Sequence, residues 1–141
     1  MTEAGGRRTR DYSCGAVRFA LPYEFKLTDH EERIERPLLN IPGETTLGQF
    51  WHWADSDGAR IILECWSDRP PHPGQPLEIA YRWTVTHAGL VMQLAREDTG
   101  FAPLIHAWFE LPGRGHFHLI AVGVDDESFT RVVNSIDLEQ E

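Results

Sequence analysis

Residues 47–66 have the sequence LGQFWHWADSDGARIILECW, in which two runs of alternating side chains flank Asp57-Gly58. Alternation with a period of two is typical of β-strands, and Asp-Gly is a favoured turn between paired strands. The stretch therefore predicts a β-hairpin. A loop of two residues and a loop of four residues both place Trp53 opposite Ile62, so either loop length assigns the same side chains to each face.

One face of this hairpin is a candidate surface for binding another protein. Its members are Trp51, Trp53, Arg60, Ile62, Glu64 and Trp66, together with Gln49. Trp and Arg are enriched among the residues that contribute most to the affinity of protein interfaces. A helix of the same chain that covers these rings would explain them equally well, since Trp is largely buried on average. The opposite face is predicted to hold Phe50, His52, Ala54, Ile61, Leu63 and Cys65.

Two further hairpins are predicted, one before and one after this stretch. The first pairs residues 15–22, GAVRFALP, with the charged residues 25–36, FKLTDHEERIER. The second covers residues 102–124 and turns at residues 112–115, PGRG. Both faces of this last hairpin are apolar, so we expect it to lie at the centre of the sheet.

Helices are predicted in the middle and at the end of the chain. Residues 77–88 fit both a strand and a helix, and we favour the helix because Gly89 is a natural helix stop, although the β-branched character of residues 84–86 opposes it. The last helix is predicted to begin after Asp125, which is suited to cap it. Its buried stripe consists of Phe129, Val132, Val133 and Ile136.

These elements predict an α+β fold, in which an antiparallel β-sheet built from hairpins is flanked by one middle helix and one C-terminal helix. Residues 1–10 are expected to form a flexible N-terminal segment and residues 11–141 a single domain. Two cysteines, Cys14 and Cys65, are too few for a disulfide scaffold and are expected to be free thiols.

The net charge of −9 excludes the basic surface that nucleic acid binding requires. It favours association with a basic protein instead. No apolar stretch is long enough to cross a membrane, and the first residues lack the apolar centre of a signal peptide. We therefore expect a cytoplasmic protein with no membrane partner; the oligomeric state is left open.

The histidines raise the question of a metal site. With Leu111 opposite His116, the side chains of His116 and His118 share one face of the last hairpin, and His106 lies on the other. A zinc site needs three or four ligands, and His52 belongs to a different hairpin. We therefore predict no metal ligands, no cofactor and no catalytic residues. The alternative is a small-ligand or metal-binding domain with an occasional catalytic role, centred on His116 and His118 and extending to His52.

The order of elements resembles the PsbP-like family. The resemblance rests on ALPYEF at residues 20–25, the Trp-containing hairpin, a proline-rich loop, a helix ending in Gly and FTRVVNSIDL at residues 129–138. It implies an antiparallel sheet with helices on its faces, in a family whose members mostly bind proteins and include adaptors of type VI secretion effectors. The leading hypothesis is a bacterial, non-enzymatic protein-binding module. We expect it to act as an immunity protein or an adaptor that binds a secreted toxin or effector.

Overall fold

The computed structural model describes residues 8–37, 42–67, 79–98 and 103–138. These residues form ten strands and one helix: β1 (Thr9–Cys14), β2 (Val17–Pro22), β3 (Lys26–Pro37), β4 (Thr45–Ala54), β5 (Arg60–Trp66), β6 (Ile79–His87), β7 (Leu90–Asp98), β8 (Pro103–Leu111), β9 (Gly115–Val122), α1 (Asp126–Asn134) and β10 (Asp137–Leu138). The predicted α+β class with a middle and a C-terminal helix is wrong, because the structure is mostly β. The proline-rich loop and Leu77 lie outside the described residues.

The strands form two antiparallel sheets. The small sheet has the order β1-β2-β10, and the large sheet has the order β3-β4-β5-β9-β8-β7-β6. Strands β3 to β5 pair with their neighbours along the chain, as do strands β6 to β9. Pairing of β5 with β9 joins these two groups of strands into one sheet.

The core lies where the small sheet and α1 pack against one face of the large sheet, which we call the inner face. Trp53 of β4 is fully buried there, and its ring lies edge-on to Tyr12 of β1 and Phe19 of β2, with centroids 5.2 Å and 5.4 Å away. Other buried members include Leu21, Ile61, Leu63, Ile105, Leu119, Phe129 and Val133. Burial of this many large apolar side chains is the main stabilising contribution to the fold.

The first predicted hairpin does not form. Strand β2 pairs with β1 and β10, whereas β3 pairs with β4. A turn in which the N–H of Phe25 donates to the carbonyl of Pro22, at 3.0 Å, carries the chain from the small sheet to the large one. The two strands differ in burial as well, since β2 alternates between buried and exposed side chains and β3 is exposed along almost its whole length.

The predicted middle helix is a β-hairpin. Strand β6 pairs with β7 through a two-residue turn at Ala88 and Gly89, whose φ angles are +55° and +80°. Positive φ at both turn residues defines the type I′ turn that matches the twist of paired strands. Gly89 suits a helix stop and this turn equally, because both need positive φ. The β-branched residues Thr84, Val85 and Thr86 favour the strand.

Ala88→Asn is expected to stabilise the protein by about 1 kcal/mol, because alanine in the left-handed region carries a steric cost of about 1–2 kcal/mol that Asn tolerates better. Urea denaturation measures the change. Ala80→Asn, on the adjoining strand β6 and with no positive φ, is the matched control and is expected to bring no gain. Equal or lower stability of Ala88→Asn would contradict the turn assignment.

Helix α1 begins where the sequence predicts. Asp125 has extended backbone angles, and its side chain accepts a hydrogen bond of 2.8 Å from the N–H of Ser128, which confirms it as the N-cap. Phe129, Val132 and Val133 are buried as predicted. The described part of the chain contains no helix of the length and apolarity that crossing a membrane requires.

Candidate functional site on the outer face of the large sheet

The length of the loop between β4 and β5 determines which side chains of these strands face the core and which face away from it. The N–H of Asp55 donates to the carbonyl of Ala59 at 3.1 Å, and the Asp55 carboxylate accepts 2.9 Å bonds from the N–H groups of Asp57 and Ala59. Gly58 has a φ of +90°. Three residues therefore separate the closing pair, and Ala54 pairs with Arg60. An odd loop shifts the register by one residue, which exchanges the faces of one strand.

This register divides the six residues of the predicted partner-binding surface. Trp51 and Trp53 stand opposite Leu63 and Ile61 on the inner face and are only 7% and 0% exposed. The prediction that all six share one face is therefore wrong. The other four, Arg60, Ile62, Glu64 and Trp66, lie on the face turned away from the core, which we call the outer face. His52, predicted on the side of Ile61, also lies on the outer face, opposite Ile62.

The hairpin of β8 and β9 shows the same shift. Leu111 pairs with Gly115 and not with His116, because the turn has three residues. As a result, Trp108 stands opposite His118, and His106 lies on the same outer face as both. The prediction that His106 and His118 lie on opposite faces is wrong.

Four side chains form a chain of polar contacts across the outer face, which we call the histidine network. It runs from Glu97 on β7 through His106 on β8 and His118 on β9 to Glu64 on β5. His106 Nε2 is 2.9 Å from Glu97 Oε1, and His106 Nδ1 is 2.8 Å from His118 Nε2. His118 Nδ1 is 3.8 Å from Glu64 Oε1, an ion-pair distance longer than a hydrogen bond. The indole N–H of Trp66 donates to the same Glu64 oxygen at 3.3 Å.

The contacts constrain where the protons lie. If His106 Nε2 donates to the Glu97 carboxylate and His106 is neutral, its Nδ1 must accept from His118 Nε2–H. The nitrogen of His118 that faces Glu64 then carries no hydrogen, which fits its 3.8 Å separation from the carboxylate.

Burial and charge shift the pKa values of two members in a consistent way. Burial lowers the pKa of His106 from its ordinary value of 6.5, and the contact with Glu97 offsets only part of this. Burial acts to raise the pKa of Glu64, but interactions with His118, followed by Trp66 and Arg36, lower it overall. His106 is thus kept neutral and Glu64 is kept ionised.

Stability is expected to fall as the pH is lowered through two ranges. Below pH 6.5 the unfolded chain binds a proton at His106 that the folded chain resists, and below pH 4.5 the same holds for Glu64. Denaturation at a series of pH values measures this. His106→Gln should flatten the upper range, whereas His87→Gln, outside the network, should not. An unchanged upper slope in His106→Gln would contradict the assignment.

Aromatic rings surround the network. Trp108 is stacked on both imidazoles, with centroids 5.0 Å from His106 and 4.9 Å from His118 and interplanar angles of 5° and 17°. Such stacking fixes the ring orientations. Trp66, only 1% exposed, closes the other end of the network.

The structure does not bring together the histidines of the metal alternative. His116 lies 3.9 Å from Glu110, and His52 Nδ1 is 2.8 Å from the hydroxyl of Thr28. His118 contacts His106 instead. Within residues 8–37, 42–67, 79–98 and 103–138, no three His, Cys, Asp or Glu side chains are arranged to hold a metal ion.

Beside the network lies a set of half-buried apolar side chains, which we call the outer patch: Phe50, Ile62, Leu104, Trp108, Ile120 and Val122. Ile62 stands directly opposite Ile120, and Leu104 opposite Val122. The small sheet and α1 pack on the inner face, so neither covers this patch. The outer face therefore combines exposed apolar area with a fixed polar network, an arrangement suited to binding.

Comparison of the chain with protein-family models, with curated proteins and with solved structures found no match.

Proposed function

We propose that the protein is a non-enzymatic protein-binding module whose partner docks on the outer patch. The observation that supports this proposal is the apolar and aromatic area on a sheet face turned away from the core. Half-buried Ile62 and Ile120 stand opposite each other, Leu104 and Val122 form the next apolar pair, and apolar surfaces of this kind mark interaction sites in soluble proteins. The rigid network beside it offers hydrogen-bonding groups whose positions are set before a partner arrives.

The proposed partner is a secreted bacterial toxin or effector, which makes the protein an immunity protein or an adaptor. The net charge of −9 supports a basic partner, since complementary charge speeds association. An immunity role predicts association that weakens strongly with salt. An adaptor role predicts association dominated by apolar contacts and little affected by salt. The PsbP-like resemblance adds little support, because one element that carries it, the helix ending at Gly89, is a hairpin.

Ile120→Glu and Ile62→Glu are each expected to weaken partner binding about tenfold or more, because they place a charge in the middle of an apolar contact. The partner is first identified by a photo-crosslinking residue at position 120 in cells of the source organism. It is then purified, and its affinity for each variant is measured by calorimetry.

Leu27→Glu is the matched control. Leu27 is an exposed apolar residue of β3, and it pairs with Trp53 and so lies outside the outer patch. Thermal unfolding verifies that all three variants fold. Affinity that is unchanged in Ile120→Glu and Ile62→Glu would overturn the outer patch as the docking surface.

A further inference from the structure

The two edges of the large sheet differ in how well they are protected against pairing with another strand. Strand β3 forms one edge and β6 forms the other. Seven of the twelve residues of β3 are Lys, Arg, Asp or Glu, and two register shifts interrupt its pairing with β4. Charged side chains and irregular pairing keep edge strands from pairing with another chain. The β3 edge is therefore protected.

The β6 edge lacks most of this protection. Arg82 is its only Lys, Arg, Asp or Glu residue, and the strand contains no proline. Its one register shift lies at its start, between Ile79 and Tyr81, so residues 81–87 pair regularly with β7. Among the described residues, β6 pairs with β7 alone. A regular edge of this kind is a template for a further strand.

The backbone groups of β6 that do not bond to β7 point to the open side of the strand. His87 and Leu90 close the two-residue turn of the hairpin and form a hydrogen-bonded pair. Such pairs alternate along an antiparallel ladder, so the N–H and C=O groups of Arg82, Thr84 and Thr86 point away from β7. All three residues are exposed. They form an evenly spaced row of donors and acceptors that a further strand can bind.

A row of partly exposed apolar side chains follows the same edge on the inner face. Trp83 and Val85 are only partly buried against the core. Tyr81 is 45% exposed, and its ring centroid lies 5.1 Å from that of Trp83. A strand added to β6 would remove part of this apolar surface from water. The edge therefore offers apolar contact in addition to backbone hydrogen bonds.

We propose that β6 pairs antiparallel with β6 of a second copy of this chain, with Thr84 opposite its own counterpart on the two-fold axis. This register pairs all of residues 81–87. It places Trp83 opposite Val85 and Thr84 opposite Thr84, and both kinds of pair stabilise antiparallel strands. Arg82 stands opposite Thr86, so no like charges face each other. This self-complementarity favours a second copy over an extended segment of another protein, and the two-fold contact closes the assembly at two chains.

The proposed dimer goes beyond the proposed function and does not depend on it. The outer patch lies on β4, β5, β8 and β9, and β7 separates these strands from the β6 edge. A dimer paired through β6 would therefore carry two outer patches, one in each copy. Its test needs no partner protein.

Analytical ultracentrifugation of the full chain between about 1 µM and about 1 mM tests the dimer. We expect a monomer–dimer equilibrium with a dissociation constant of about 1–100 µM, because a single pair of strands buries less area than a standard interface. Each copy has a net charge of −9, so added salt should strengthen the dimer by screening the repulsion between copies. A chain that stays monomeric at about 1 mM would overturn the proposal and leave the edge to another protein.

Thr84→Lys and Thr84→Glu are each expected to weaken the dimer about fivefold or more, because each places like charges opposite one another at the axis. An equimolar mixture of the two variants should restore dimerisation, since Lys then stands opposite Glu. Both variants lose the contact of Thr84 with Gln93, so only the charge distinguishes the mixture from either variant alone. Thermal unfolding verifies that both variants fold.

Thr9→Lys is the matched control, because it introduces the same charge at an exposed position of β1. It should leave the dissociation constant of the dimer within about twofold of the unmodified chain. A dimer that Thr84→Lys weakens no more than Thr9→Lys does, or a mixture of the two Thr84 variants that dimerises no better than either alone, would also overturn the proposal.

Discussion

Trp53→Ala is expected to lower the free energy of unfolding by about 3–5 kcal/mol, the range for removing a large aromatic side chain from a core. Trp53 is fully buried, and it is the contact between the large sheet and both Tyr12 and Phe19 of the small sheet. Its loss leaves a cavity where the two sheets meet. Guanidinium denaturation measures the change.

Two further variants serve as comparisons for Trp53→Ala. Trp53→Phe should cost less than Trp53→Ala, because it keeps a ring in the core and the indole nitrogen of Trp53 has no hydrogen-bond partner among the described residues. Arg60→Ala, at an exposed position of the surface first predicted from the sequence, should change stability by no more than about 0.5 kcal/mol. If Trp53→Ala had an effect as small as that of Arg60→Ala, the register of β4 and β5 would be wrong.

Gly115→Ala is expected to destabilise the protein by about 3 kcal/mol or more. The φ of Gly115 is +123°, and a β-carbon there would lie 2.5 Å from the backbone oxygen of Trp66. Backbone strain and the steric clash both oppose alanine. Displacement of Trp66 would also disturb its hydrogen bond to Glu64, so the effect should extend to the histidine network.

Gly113→Ala is the control for this variant, because Gly113 lies in the turn that Gly115 closes. Gly113 also has a positive φ, of +78°, but among the described residues nothing lies within 4 Å of an added β-carbon. It should therefore lose only the conformational term of about 1–2 kcal/mol. Similar losses in the two variants, measured by urea denaturation, would contradict the close approach of β9 to Trp66.

Much of the strand content could be predicted from the sequence. The face of the sheet on which each side chain lies could not. Alternation located the strands on both sides of Asp57-Gly58, and the C-terminal helix followed from Asp125 and its apolar stripe. The faces depend on whether a loop has an odd or an even number of residues, and alternation contains no information on this. The available signal was local: Asp55 can bind the N–H groups of a three-residue loop, and Gly58 can adopt its positive φ.

Prediction of the candidate site also required knowing whether a hairpin loop has an odd or an even number of residues. His106 and His118 meet only if the turn between β8 and β9 has three residues, and their carboxylate partners come from β5 and β7. A search of the sequence for spaced ligands could not find such a set. The prediction of a middle helix was wrong because the local signal was ambiguous. Gly89 supplies a positive φ to a helix end and to a type I′ turn alike.

The pairing of β5 with β9 has a consequence for when the candidate site exists at all. Glu64 and Ile62 belong to the first group of strands, and their partners His118 and Ile120 belong to the second. The first group alone would hold only Glu64 of the histidine network and two members of the outer patch. The second group would hold the other three members of the network and the other four of the patch, and each group would have an unpaired strand at its border. A nascent chain or a proteolytic fragment that lacks β9 therefore lacks the proposed docking surface, which is complete only when the whole sheet has formed.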